Sequence, residues 1–478
     1  MKYVFILLLV AGWPWSSSLR AQTAGRSRLI VLTDIEADAD DQESMVRLML
    51  YTSEIDIEGL IATTSVHQKN RVYPQSIRDV IIAYGKVRAN LLLHEAGYPT
   101  PTQLLSVVKS GLPIYGMNGV GEGKDSQGSD WILSALKKND PRPLWVSTWG
   151  GVNTLAQALY RIRQKETPAE AARLLSKLRI YTISDQDDSG AWIRSHFPSL
   201  FYIVTPGGYG RATWTGINSF IPGIDNGTIS NKWLREHIQQ NHGPLGAIYP
   251  DVAYGMEGDT PSWLSLIPNG LNVPEHPDWG GWGGRYELYL PDTSVFDQHG
   301  FTGGVPTLPE TRPIWTNATD TWYPEIPGDY GREMHRDTIR HSDNKVTVWR
   351  WRDDFQNDFA ARMSWTTLPY QKANHPPVPV LGNAAEFTVK SGSTFLLSAK
   401  GSWDPDGDNL SYLWIPYPEA GSFKNISVHL NVAENMQLVP ASAPLVDSPA
   451  TVQVILRVTD KGTPALSRYK RVIVHVAP

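Results

Sequence analysis

"RLIVLTDIEADADDQESMVRLML", residues 28–50, runs from an apolar stretch straight into a knot of carboxylates. Leu29–Ile30–Val31–Leu32 reads as the heart of a buried strand over Arg28–Leu32, and Gln42–Thr52 as the helix that follows. Between them Asp34, Glu36, Asp38, Asp40 and Asp41 crowd five acidic side chains into residues 34–41. Like charges this close repel unless water solvates them in a loop or a cation holds them together.

Outward from this stretch, short β-rich runs alternate with amphipathic helices. Strands are expected at Ile57–Thr63, Pro143–Thr148, Leu178–Ser184 and Phe201–Val204, and helices at Pro74–Ala89, Trp131–Lys138 and Val152–Arg163. That order predicts an α/β fold with a mostly parallel sheet and helices on both faces. Ligands of such sheets bind beyond the carboxyl ends of the strands. The acidic knot lies at one such end. Thr63–Thr64–Ser65, Thr148–Trp149–Gly150–Gly151 and Ser184–Asp185–Gln186–Asp187–Asp188 lie at three others, so one edge of the sheet gathers polar groups.

Residues 205–345 are rich in Gly, Pro and Trp with few clean periodicities, so long loops are expected, with a helical piece near Lys232–Gln240. Trp349–Trp365 reads as a last helix with Phe355, Phe359 and Met363 on one face. The composition changes near Asn374–His375–Pro376–Pro377. Beyond it, alternating runs such as Thr394–Ala399, Leu410–Trp414 and Val452–Thr459 predict an all-β immunoglobulin-like sandwich. The α/β domain is therefore placed at 27–372 and the sandwich at 378–478. Asp404–Asp408 has Asp at alternate positions but no downstream bidentate Glu, and is read as a turn rather than a calcium loop.

A chain of 478 residues exceeds one ordinary core, in keeping with two domains. Its net charge of −5 gives no electrostatic case for nucleic acid. Met1–Lys2 followed by the apolar run Tyr3–Val10 has the form of an export signal with cleavage near Ala21, and no other segment is apolar for long enough to span a membrane. A secreted or periplasmic protein is expected. The absence of Cys excludes disulfides, thiolate metal sites and a Cys nucleophile. Eighteen Trp and 20 Tyr raise the question of sugar stacking alongside ordinary core packing. Oligomeric state is not legible.

Asp34-Ile-Glu36-Ala-Asp38-Ala-Asp40-Asp41 resembles the calcium-binding signature Asp-x-Asp-x-Gly-x-Asp-Asp of nucleoside hydrolases, and Gly150–Ala156 resembles that family's second motif. "DIEGLIATTS", "EGDTPSWLSLIPNGL", "EHPDWGGWGGRYE" and "WRDDFQNDFAARMSW" are similar to an exported bacterial family described as cellulose-binding, with a nucleoside hydrolase-like domain and a C-terminal sandwich. The resemblance implies Ca2+ held by Asp41, Glu36, Asp259 and the carbonyl of Trp149 (or of Thr148 if the register slips). It implies Asp40 on sugar hydroxyls and Asp34 orienting the site. Glu36 stands where the family has an aspartate that touches the metal and activates water, and Asp38 replaces a glycine. Gly258 stands where nucleoside hydrolases often carry a His that assists the leaving base.

Asp185, Gln186, Asp187 and Asp188 follow a strand where nucleoside hydrolases place sugar-binding residues, so the resemblance makes them candidates for glycosyl contacts or for a carboxylic acid; the alternative is a surface turn in which an Asp caps the next helix. Trp279, Trp282 and Arg285 could wall a sugar pocket or form a packed loop. His67 and His276 sit in no dyad and read as structural. Two functions follow. One is a calcium-dependent hydrolase of an N- or O-glycosidic bond, with Glu36 or Asp40 as the base. The other is a non-catalytic protein that binds a cellulose-like polysaccharide on a nucleoside hydrolase scaffold.

Overall fold

Leu29 and Val31 pack into one hydrophobic core and Ile30 and Leu32 into another, so the opening strand is buried on both faces. The computed structural model describes residues 25–206, 208–292, 305, 308–323, 325–327, 334–336, 340–424, 429–430 and 435–478. The expected export signal at 1–21 lies outside them. Strand β1 (Ser27–Thr33) lies between β2 (Ile55–Ala62) and β4 (Leu144–Thr148), parallel to both. Outside β2 runs β3 (Val108–Ser110), and outside β4 run β5 (Leu178–Thr182) and β6 (Phe201–Val204). The sheet continues into β8 (Ile314–Asn317) and ends on β7 (Tyr286–Tyr289), which is antiparallel to β8. Helices α1 (Asp40–Met49) and α2 (Pro74–His94) cover one face together with helix Arg352–Ser364. Helices Gln127–Lys137 and Asn153–Lys165 cover the other. This is the expected α/β architecture.

Three local differences have physical reasons. Helix α1 begins at Asp40, two residues before the expected start, because Asp40, Asp41 and Glu43 in its first turn meet the partial positive charge of the helix N-terminus. The segment expected as one helix from Trp349 to Trp365 is two, Val346–Trp349 and Arg352–Ser364. Phe355, Phe359 and Met363 are buried as expected, but Arg352, Gln356, Asp358 and Arg362 are buried too, because both sides of the helix are covered. Strands β3, β7 and β8 are three or four residues long, too short for a period to register.

In the C-terminal sandwich, strands Glu386–Lys390, Ser467–Ala477, Ala450–Thr459 and Ser411–Pro416 form one sheet. Thr394–Ser398, Leu438–Ser442 and His429–Leu430 form the other. Alternate residues from both sheets, including Leu397, Trp414, Val439, Val454 and Val472, make its core. In the Asp404–Asp408 loop, Asp404 Oδ1 accepts the backbone N–H groups of Asp406 and Asp408, the geometry of a turn.

The two domains share a buried joint. Asp320 accepts from Arg285, Arg350 and the Tyr417 hydroxyl, and Asp354 accepts from Ser467 and Tyr469. Asp358 pairs with Arg468 at 2.7 Å, and Arg471 donates to the carbonyls of Leu271 and Gly280. Among the described residues no helix is long and apolar enough to cross a membrane.

Candidate functional site

The chain leaves β1 in a tight reversal. Ala37 N–H donates to the Asp34 carbonyl at 2.9 Å, Ile35 N–H donates to the Thr33 hydroxyl at 3.1 Å, and Glu36 sits at φ 83°. Left-handed backbone is uncommon for a side chain of this size. It turns Glu36 outward, where it is exposed and accepts from the Ser76 hydroxyl on α2. The same reversal keeps Asp34, Asp40 and Asp41 buried. Thr33 donates its hydroxyl to Asp41 Oδ1, and Asp41 N–H donates to Asp40 Oδ1 at 3.1 Å. After β4 the loop crosses close to Asp34, and a Cβ on Gly150 would lie 2.5 Å from Asp34 Oδ1, so only glycine fits there.

Asp259 arrives from a loop more than 200 residues away and completes a trio. One carboxylate oxygen each from Asp40, Asp41 and Asp259 lies within 4.8 Å of the others. Asp259 Oδ2 is buried with no hydrogen-bond partner. Burial, then the charges of Asp40 and Asp41, push the Asp259 carboxyl well above its ordinary range. Burial, then Asp34 and Asp40, do the same to Asp41. Asp40 is raised to about 7 by burial and by Asp38, against an opposing indole N–H from Trp214 at 2.8 Å. Asp34 is also raised by burial, with the Ser65 hydroxyl opposing. An all-oxygen set that is this crowded and leaves a buried oxygen unpartnered suits a hard divalent cation.

The trio forms part of the floor of a cavity of about 540 Å³, within the roughly 300–1,000 Å³ typical of small-ligand sites. Asp34, Asp38, Asp40, Asp41 and Asp259 are among its lining residues, and among the described residues neither Lys nor Arg lines it. His67, Tyr209, Trp214, Trp149 and Tyr254 supply rings, and Gln186 an amide. The Asp259 loop is braced from behind: the Glu257 carboxylate takes Arg47, the Tyr249 hydroxyl and the Thr260 hydroxyl, while Glu257 N–H donates to Glu43 on α1.

The structure thus brings together Asp34, Asp40, Asp41, Asp259, Trp149 and Gln186 among the expected site residues, and keeps Glu36, Asp185, Asp187, Asp188, Trp279, Trp282 and Arg285 out of the cavity lining. Glu36, expected to be both metal ligand and base, points away from the cavity because of its backbone conformation. Trp149 lines the cavity, and its carbonyl accepts from the Gln186 amide, which leaves a second lone pair. Asp185 is paired with Arg194 through two bonds of 2.8 and 2.7 Å. Asp187 accepts the N–H groups of Asn153 and Ser189, the latter at the start of the next helix, and burial raises it to about 7. Asp188 accepts from Met117 N–H. From that strand end it is Gln186, between the aspartates, that lines the cavity.

Trp279, Trp282 and Arg285 form the packed-loop alternative. Trp282 is fully buried between Phe355 and Tyr469, Arg285 is buried against Asp320, and Trp279 stacks on His276 at 4.0 Å. His67, read as structural, borders the cavity and meets the Tyr209 hydroxyl at 3.1 Å. Tyr209, Trp214 and Tyr254 come from the irregular stretch after β6, where no period marked them. Their density of aromatic residues was the one available signal.

A parallel sheet, a carboxylate trio at its carboxyl edge and a following sandwich define a nucleoside hydrolase-like protein with an appended β domain. Residues 28–286 match the family model described as cellulose-binding Sde182, nucleoside hydrolase-like domain, and residues 394–476 match the C-terminal domain of cellulose-binding protein Sde0182. The chain belongs to this family. It is similar to a solved nucleoside hydrolase-related hypothetical protein from Saccharophagus degradans, described as associated with carbohydrate metabolism. The two share 34% identity and a TM-score of 0.76 over 95% of this chain and 100% of that one. Another match is the solution structure of the PKD domain from KIAA 1837 protein, at 20% identity and TM-score 0.16 over 22% of this chain and 93% of that one. No curated protein matches.

Proposed function

We propose that the cavity is a calcium-dependent carbohydrate-binding site on a nucleoside hydrolase scaffold, working outside the cytoplasm. The observation that carries this reading is the buried trio Asp40, Asp41 and Asp259, with its unpartnered oxygen, in a cavity that also presents aromatic rings. Those three carboxylates would hold the ion, with the Trp149 carbonyl at the same edge. Bound calcium supplies the positive charge that lets buried carboxylates ionise together, and it attracts sugar hydroxyls. Asp40 and Gln186 add polar contacts for hydroxyls. The family description as cellulose-binding and the carbohydrate link of the Saccharophagus relative support a polysaccharide ligand. The Met1–Ala21 sequence supports export.

Hydrolysis of a glycosidic bond is the second reading. It is favoured by Asp40, whose raised carboxyl near neutrality is where general bases work best. It is disfavoured by Glu36 facing outward and by Gly258 offering no side chain to a leaving group. The test combines calcium titration by calorimetry with binding of cello-oligosaccharides and turnover of nucleosides and aryl glycosides. Calcium-dependent saccharide binding without turnover supports the first reading, and turnover lost in Asp40→Asn supports the second. A protein indifferent to calcium and to every saccharide sinks both.

A further inference from the structure

We infer that Trp214, admitted by Gly258, sets the ligand class of the cavity as a saccharide of two or more units that passes out over Tyr254. The inference rests on the carbohydrate reading and adds which residues select the ligand.

Trp214 lies on the short helix Ala212–Thr215 and commits its only donor, the indole N–H, to Asp40 Oδ2. The ring is therefore fixed against the carboxylate floor. Tyr209 extends it, with ring centroids 5.3 Å apart, and His67 extends Tyr209 at 5.9 Å. The result is a run of three tilted rings next to the carboxylates. A pyranose has the same two characters, an apolar C–H face and an edge of hydroxyls. Aromatic faces carry negative charge density that attracts the positive C–H groups.

Gly258 makes this arrangement possible. A Cβ there would lie 2.0 Å from Trp214 Nε1, 2.1 Å from Cδ1 and 2.7 Å from Asp40 Oδ2. Any side chain at position 258 would displace the indole, so this chain holds an aromatic wall where a residue reaching from 258 would otherwise stand. At the mouth Tyr254 lines the cavity while 82% exposed, a ring presented to solvent beyond the inner wall. A cavity larger than one sugar ring, with a second ring at its rim, fits a chain end rather than a monosaccharide.

The experiment measures calorimetric affinity of the calcium-loaded full chain for glucose, cellobiose and cellotetraose, with calcium affinity recorded in parallel. Wild type is expected to bind more tightly as the saccharide lengthens. Tyr254→Ala should erase that gain, and Trp214→Ala should weaken cellobiose by about ten-fold, the scale of one lost stacking contact. Gly258→Ala should weaken saccharides in the same way. Calcium affinity should survive Tyr254→Ala. If wild type binds saccharides and both aromatic variants match it, this inference falls and the carbohydrate reading stands. If wild type binds calcium but none of the three saccharides, both fall.

Discussion

Two regions of this protein bury several charges, and they do so with opposite logic. At the joint between the domains each buried carboxylate faces arginine. Burial alone would raise Asp320, but Arg285 and Arg350 bring it below its ordinary value. Arg468 and Arg362 likewise overcome burial at Asp358. On the cavity floor, burial acts on Asp40, Asp41 and Asp259 with the neighbouring carboxylates adding to it, and all three are raised. At the joint the buried carboxylates find their counter-charges within the chain. On the proposed reading, the floor takes its counter-charge from a bound cation, and that would separate a binding charge cluster from a structural one.

Breaking the joint should have the largest effect. Asp320→Asn leaves two buried guanidinium groups short of their counter-charge and should cost about 3–5 kcal/mol, read by urea unfolding. The floor should respond with the opposite sign. Without calcium, Asp259→Asn removes repulsion and should raise the melting temperature. With calcium at 100-fold over its dissociation constant, wild type should gain about 2.7 kcal/mol and the variant almost none. A wild type indifferent to calcium would remove the contrast between the regions.

The pH dependence sharpens the same point. In calcium-free protein, Asp40 has a folded pKa of about 7, above the unfolded value. The folded state then binds more protons between those values, so this group stabilises the protein as pH falls from above 7 towards 4. Calcium requires the ionised form, so the calcium increment in melting temperature should shrink over the same window. Scans at pH 8, 6.5 and 5, with calcium and with chelator, check both directions. The smallest effect is expected at Glu36→Gln. This exposed residue should leave stability within about 0.5 kcal/mol and the calcium response unchanged, by the same scans.

Much of the fold was legible because its signal is local. The apolar run Leu29–Leu32 is buried on both faces, and the strand and helix alternation up to Val204 holds within a few residues. The trio was legible for a different reason. Asp40 and Asp41 follow a strand end, and the resemblance to nucleoside hydrolases pointed to Asp259. Glu36 was not legible, because a single left-handed residue decides which way its carboxylate faces. Trp282 and Arg285 looked as suited to a sugar wall as to a core. Their partners, Tyr469 and Asp320, are 187 and 35 residues away.

The amino-acid sequence by itself determined the two-domain α/β and β architecture and the location of a carboxylate cluster at the edge of the sheet. Periodicity and charge density are properties of neighbouring residues. Only the tertiary structure decided which carboxylates face one another, which tryptophans line a cavity and which fill the joint. Each of those outcomes depends on what a distant segment brings to the same place. Asp320 beside arginines and Asp259 beside aspartates are the same residue type, set by their neighbours to opposite purposes.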